Sequence, residues 1–410
     1  MNFIDIIFFF YIFVGLYMLS LFIFIYLHSR GKFFLYPEGK LEPVSIIVPC
    51  YNAEKNIGKT IDSLLSLDYP RDLIEIIVVD DKSTDSSVDV VNKYVKKYDN
   101  VRLIVNKRNS GGAAEPTNLG IKAAKYKYVA VTDDDSEPQK TALRKMIGFL
   151  QQDEKVGGVT CSVLAKSPNN FMQKLQQIEY VVIAFNRKLL DMVDAVYVTP
   201  GPFALYKKKV LEEIGLFDTK SMTQDIEIVW RMMSHGYRAR MCAAAKVYSE
   251  TPKKFVQWWK QRVRWNIGGA QALIKYRKSL FNNGMLGAFV IPFFSFSLFI
   301  GLFGLGLFFY LMGRRFLVSY LTTRYSLYAD TALLTLQDVT FSPSILNFLG
   351  VVLFLLGAGF TLFALTIMSE FKIRNKNIFN ILFYLLIYLA IYPFIMITSL
   401  YKLVRGNYTW

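Results

Sequence analysis

Three consecutive carboxylates, Asp133-Asp134-Asp135, follow directly on the short β-branched run Tyr128–Thr132. Like charges crowded at a strand end repel, so something positive must offset them. Hard carboxylate oxygens suit a divalent cation that also holds phosphate, Mg2+ or Mn2+. Standing alone, the stretch reads equally well as an acidic surface turn. A second acidic strand end, Asp80-Asp81 in Val78-Val-Asp-Asp-Lys-Ser-Thr-Asp85, tips the balance. A nucleotide whose base and ribose donate hydrogen bonds, and whose diphosphate needs a metal, would use both. A third polar strand end, Val48-Pro-Cys-Tyr-Asn-Ala-Glu54, adds Pro49, Tyr51 and Asn52 to the same edge.

Two later stretches could complete a reaction site. Asp225 opens the helical pattern Asp225-Ile-Glu-Ile-Val-Trp-Arg-Met-Met, where an ordinary helix cap is the plain alternative. In Gln261-Arg-Val-Arg-Trp265, the indole offers a flat apolar face to a ligand ring and Arg264 can pair with phosphate. Gln261 can hydrogen-bond to either ligand. For Trp258 and Trp259 the expectation is an aromatic belt at a membrane interface. With only two histidines in the chain, acid–base work rests on carboxylates, and a Ser-His-Asp hydrolase is excluded as an expectation.

The elements that must position these residues read as an α/β domain. Val44–Pro49, Ile74–Asp80, Val101–Val105 and Tyr128–Thr132 read as strands, with helices Ile57–Leu67, Ser83–Tyr98 and Leu119–Lys125 between them. Ser83 or Thr84 is the expected cap of the second helix. Such alternation predicts a mostly parallel sheet, whose ligands bind at the carboxyl ends of the strands. The segment Phe255–Tyr276 reads as an amphipathic helix lying along an interface.

The two ends are different in kind. The 410 residues are 53% hydrophobic, with 34 Phe and 25 Tyr, and the excess is concentrated outside the α/β stretch. Ile4–Leu27 is long enough to cross a bilayer and is followed by Arg30 and Lys32, which reads as an uncleaved anchor with the next segment in the cytoplasm. Further spans are expected near Met285–Met312, Ile345–Met368 and Ile378–Tyr401. The basic link Ser369–Asn377 is expected on the cytoplasmic side and Arg314–Ser344 on the other, with Phe316–Leu336 as a candidate interfacial segment. The net charge of +16 is scattered and flanks apolar spans, which fits anionic lipid rather than nucleic acid. Cys50, Cys161 and Cys242 show no disulfide or zinc spacing, consistent with a reducing compartment.

In this order, Val48-Pro-Cys-Tyr-Asn52, Asp80-Asp81, Asp133-Asp-Asp135, Thr223-Gln-Asp225 and Gln261-Arg-Val-Arg-Trp265 resemble the motifs of family 2 glycosyltransferases. The last is characteristic of membrane-integrated synthases of cellulose, chitin, hyaluronan and poly-N-acetylglucosamine, and of some glycolipid synthases. The resemblance covers roughly Val44–Ala270. It implies a nucleotide-sugar-binding α/β domain of fold type A inserted between transmembrane helices. Its segments would be a 1–29 anchor, a 30–250 cytoplasmic catalytic domain, a 251–284 interface segment and a 285–410 region of about three spans. It further implies inverting transfer from a nucleotide sugar, a UDP-sugar foremost, to a growing β-linked polysaccharide that is exported through the cell membrane. Transfer of one sugar to a lipid acceptor is the alternative.

Carried over residue by residue, Asp225 is the general base and Asp135 with Asp133 holds Mg2+ or Mn2+. Pro49, Tyr51, Asn52, Asp80, Asp81, Asp133, Asp134, Gln261 and Arg264 bind the nucleotide sugar, and Trp265 binds the acceptor. The few spans suggest a homodimer or an accessory subunit. Three positions depart from the family pattern: Lys82 where Gly is common, Ala113 where a Lys is frequent, and Gln224 in place of Glu beside the base. The donor's identity is therefore open.

Overall fold

The computed structural model describes residues 3–328, 345–368, 375–406 and 408. It opens with an apolar helix α1 (Phe3–Ser29) and then builds an eight-stranded sheet. The strands in chain order are β1 (Val44–Cys50), β2 (Ile74–Asp80), β3 (Val101–Val105), β4 (Tyr128–Val131), β5 (Ser136–Pro138), β6 (Val156–Ala165), β7 (Ala204–Lys207) and β8 (Arg238–Ser249). In space they run β3-β2-β1-β4-β7-β6-β8-β5. Every residue of β1 and β2 is buried, as expected for central strands covered on both faces.

The helices of this region are α2 (Ile57–Leu65), α3 (Ser87–Lys97), α4 (Ala114–Ala123), α5 (Ala142–Gln152), α6 (Phe171–Asp191), α7 (Lys208–Glu213), α8 (Gln224–Ser234) and α9 (Phe255–Tyr276). Two apolar cores flank the sheet. One lies under α2 and α5, and the other lies between the sheet, α6, α8, α9 and the membrane helices.

The sheet is more mixed than expected. β1 is parallel to β2 and β4, and β2 to β3, but β7 runs antiparallel to both β4 and β6. Alternation of side chains specifies a strand and its faces, whereas direction is set by the connection that delivers it.

Two helix starts also differ. The second helix begins at Ser87 rather than Ser83, because Asp85 Oδ1 accepts from the Ser87 amide (3.0 Å). The Ser83 hydroxyl instead accepts from the Asn52 amide (2.9 Å), and neither Ser83 nor Thr84 is the cap. α4 begins at Ala114, five residues early, with Pro116 tolerated in its first turn.

Beyond α9 lie α10 (Ile291–Tyr328), α11 (Ile345–Ile367), α12 (Asn375–Phe383) and α13 (Tyr392–Arg405). A π-helical turn, Tyr384–Tyr388, and a 3-10 turn, Leu389–Ile391, join the last two. Among the described residues, four segments are long and apolar enough to cross a membrane: Asp5–Lys32, Leu286–Tyr328, Phe348–Ile367 and Ile378–Arg405. The second has 43 residues, about 65 Å of helix against a hydrocarbon core of roughly 30 Å. Phe316–Tyr328, the described part of the expected interfacial segment, continues α10 as one helix. Residues 329–344 and most of the expected basic link 369–377 fall outside the described residues.

Candidate active site

A cavity of about 660 Å3 opens at the carboxyl ends of β1 and β4, between the sheet and α9. Its wall brings together Pro49, Tyr51, Asp81, Asp133, Asp134, Asp135, Asp225, Gln261, Arg264 and Trp265, which come from five separate stretches of chain. Of the residues singled out from sequence, Asn52 and Asp80 do not line it. Asn52 sits at a positive φ of 52° and accepts through Oδ1 from the Thr84 amide (2.8 Å). Asp80 Oδ2 accepts from the Ser83 amide (3.1 Å), while its buried Oδ1 has no hydrogen-bond partner. Both shape the turn behind the cavity. Exposed Lys82 is outside the lining, whereas Gly111, Gly112 and Ala113 are part of it.

Asp81 is saturated by its neighbours. Oδ1 accepts from Asn106 Nδ2 (2.8 Å), and Oδ2 accepts from the amide and hydroxyl of Ser110 (2.9 and 2.7 Å). It thereby pins the loop that carries Asn109 and Gly111 into the cavity wall.

The β4 end behaves differently. Burial, then Asp135, Asp134 and Asp225, pushes the Asp133 carboxyl well above the usual range, with Arg264 opposing. Burial and then Asp135 push Asp134 up to about 7, although the Tyr51 amide donates to its Oδ2 (3.3 Å). Asp135 is raised by burial and partly relieved by hydroxyl donors Ser136 and Ser249, at 3.1 and 3.2 Å from Oδ1. The three carboxylates reach the cavity surface yet lie deep in the domain, so each resists ionisation.

A divalent cation fits this donor set. Among the described residues no three His, Cys, Asp or Glu side chains form a closed metal cluster. Mg2+ and Mn2+ are commonly held by one or two carboxylates with phosphate oxygens completing the shell. Asp133 and Asp135 have the chemistry for that.

Close backbone approach builds the rest of the wall. A Cβ at Gly201 would lie 2.6 Å from Asp133 Oδ1, so the Pro200-Gly201-Pro202 loop can press on that carboxylate only with glycine at its centre. A Cβ at Gly268 would lie 1.8 Å from the Thr223 hydroxyl oxygen, so α9 packs directly on the turn that presents the base candidate. Asp225 is the second residue of α8, not its cap, which is Thr223. Burial raises its carboxyl, while Arg264, the amides of Asp225 and Ile226, and Arg187 pull it back.

Sequence reasoning missed several wall residues. Arg187 on α6 is 6% exposed, lines the cavity, and leaves its Nε without a hydrogen-bond partner. Nothing in the helical pattern of α6 marks it as different from a surface arginine. Glu250 and Asn109 also went unmarked, while Pro200-Gly-Pro202 had a readable signal as a rigid turn. Trp258 is corrected outright. It is fully buried, with its ring 4.8 Å from that of Tyr388, and belongs to the core, not to an exposed aromatic belt. Trp259 is half-buried against the same core. Arg262, on the same helix, is also buried.

Comparison with known proteins agrees with this geometry. A poly-β-1,6-N-acetyl-D-glucosamine synthase of Staphylococcus epidermidis is 31% identical over 257 residues, 62% of this chain and 61% of that one. Its namesake in Staphylococcus aureus (strain COL) is 32% identical over 237 residues, 58% of this chain and 57% of that one. The chain thus spans about three fifths of the length of these relatives. Among solved structures, a mannosyltransferase from Pyrobaculum calidifontis in complex with GDP-Man and Mn2+ matches with a TM-score of 0.57. It is 18% identical, and the match covers 95% of this chain and 96% of that one, which is a likeness of fold. The model of the glycosyltransferase-like family 2 matches residues 42–268, a span holding every motif of the cavity wall, and the chain belongs to that family.

Proposed function

We propose that this protein is an inverting synthase that moves sugar from a nucleotide-sugar donor to the end of a growing β-linked polysaccharide. The observation that carries the reading is the single cavity in which Asp225 and Arg264 face Asp133–Asp135 across the carboxyl edge of the sheet. The names of the relatives favour N-acetylglucosamine as the sugar and a β-1,6 linkage. A UDP-sugar is the donor on this reading.

Inversion is one displacement at the anomeric carbon. Asp225 removes the proton of the acceptor hydroxyl as the nucleoside diphosphate departs on the opposite face. The base must be ionised, and the two guanidinium groups of Arg264 and Arg187 counter its burial. Trp265 stacks on the acceptor sugar, and Gln261 and Arg264 bond to the donor phosphates and sugar hydroxyls. The Asp81-pinned loop cradles the nucleoside. A divalent cation on Asp133 and Asp135, as Mn2+ accompanies GDP-Man in the mannosyltransferase, would neutralise the departing diphosphate. Membrane helices on both sides of the domain fit a catalytic face in the cytoplasm and polymer export, with a second copy or an accessory subunit completing the path.

The test uses the full chain in lipid, supplied with labelled UDP-N-acetylglucosamine, UDP-glucose and GDP-mannose in turn. High-molecular-mass product from UDP-N-acetylglucosamine, cleaved by a β-1,6-specific glycosidase, is expected. A single-sugar, solvent-extractable lipid would overturn the polymer reading in favour of a glycolipid synthase.

A further inference from the structure

Glu179, Arg262, Tyr388 and Tyr392 meet below the cavity although they come from three parts of the chain up to 213 residues apart. Glu179 is 3% exposed and Arg262 is 1% exposed. Arg262 Nε donates to Glu179 Oε1 (3.1 Å), and Arg262 Nη2 pairs with Oε2. From the last membrane segment, the Tyr388 hydroxyl donates to Glu179 Oε2 (2.6 Å) and the Tyr392 hydroxyl to Oε1. Both carboxylate oxygens therefore carry two donors each.

The same guanidinium faces the cavity wall on its other side. Its Nη1 donates to Gln261 Oε1 (2.8 Å), and its carbon lies 4.0 Å from the centre of the Trp265 ring. Gln261 and Trp265 both line the cavity, and so does Tyr180, the neighbour of Glu179.

A buried ion pair is weak evidence for stability, since well-packed apolar residues of equal volume do as well or better. What a paired, planar guanidinium adds is direction. Its fork fixes the plane against which the indole stacks and the point from which the Gln261 carboxamide hangs. The last segment is irregular where it makes these bonds, with the π-helical turn Tyr384–Tyr388 interrupting its α-helical pitch. Tyr388 and Tyr392 lie on either side of the 3-10 turn Leu389–Ile391, and both hydroxyls reach Glu179.

We propose that Glu179, Arg262, Tyr388 and Tyr392 are positioning residues through which the last membrane segment sets Trp265 to grip the acceptor sugar. This rests on the sugar-transfer reading above. The acceptor end is held in register with Asp225 only while that segment is seated on Glu179. The donor, held chiefly by the β1 and β4 edge and by Arg264, depends on that segment far less.

Tyr388→Phe/Tyr392→Phe removes two hydroxyls and no ring, so packing survives. In full-length protein in lipid, it is expected to weaken binding of a β-1,6-linked N-acetylglucosamine pentamer about ten-fold and to raise the acceptor KM likewise. Donor KM and UDP affinity should stay within about two-fold, and the polymer should shorten. Arg262→Lys keeps the charge but not the plane, and should do at least as much. Variants that fold and match the wild type in pentamer binding and product length overturn the proposal. So do equal rises in donor and acceptor KM, which would mark a general loss of cavity shape. Wild-type protein that neither transfers sugar nor binds the pentamer removes the underlying reading; wild-type protein that does both, with indistinguishable variants, removes the positioning role alone.

Discussion

The ends of β2 and β4 carry similar acidic residues and do different work. At the β2 end, Asp81 is satisfied by Asn106 and Ser110, and Asp80 is turned into its own loop. That end is a staple that holds its own loop. At the β4 end, Asp133, Asp134 and Asp135 are all pushed upward by burial, Asp133 and Asp134 further by neighbouring carboxylates, and a single tight glycine closes over Asp133. An excess of negative charge in a low-dielectric cavity is a standing demand for a cation. A carboxylate's neighbours decide whether it is structural or chemical.

Mutations can break this contrast. The largest loss is expected from Asp225→Asn, which removes the proposed base: kcat should fall about 10³-fold with the donor KM little changed. Next, Asp135→Asn should lower kcat about 10²-fold in the same assay, because it weakens the hold on the divalent cation proposed to neutralise the diphosphate. Asp81→Asn should act on binding instead, raising the donor KM about ten-fold while kcat falls less, since only the loop is loosened. If Asp81→Asn and Asp135→Asn gave the same kinetic signature, the two ends would not differ in kind.

A subtler effect concerns pH. Arg264 pulls the raised Asp225 carboxyl downward, and the base works only when ionised. Arg264→Gln should therefore move the acid limb of the kcat/KM profile to higher pH. The smallest effect is on stability. Asp134 titrates near 7 in the fold, against about 4 in an unfolded chain. Its ionisation costs the folded state nothing below about pH 4, increasingly more between 4 and 7, and the full amount above. Asp134→Asn should raise the melting temperature by a few degrees at pH 8 and leave it unchanged at pH 4, in calorimetry without added metal.

The chemistry-bearing residues were legible where their signal is local. An apolar run ending in carboxylates needs no partner to be recognised, and the spacing Gln261–Trp265 lies within about one helical turn. The four apolar spans were equally plain, because crossing a bilayer is a matter of length and composition. Misreadings arose where the deciding partner is distant. Trp258 looks like an interfacial aromatic until Tyr388 covers it, 130 residues on. Ser83 looks like a helix cap until Asn52 claims its hydroxyl.

By itself, then, the sequence determined an α/β catalytic domain between apolar spans, acidic strand ends at one edge, and a tryptophan-bearing helix after them. Burial pattern and residue chemistry are properties of short stretches, so they survive without coordinates. Only the tertiary structure decided the antiparallel insertion of β7, the placement of Arg187 beside Asp225, and the convergence of Glu179, Arg262, Tyr388 and Tyr392. Each depends on which distant segments share a volume, and long-range packing, not local pattern, sets the electrostatics of a buried charge.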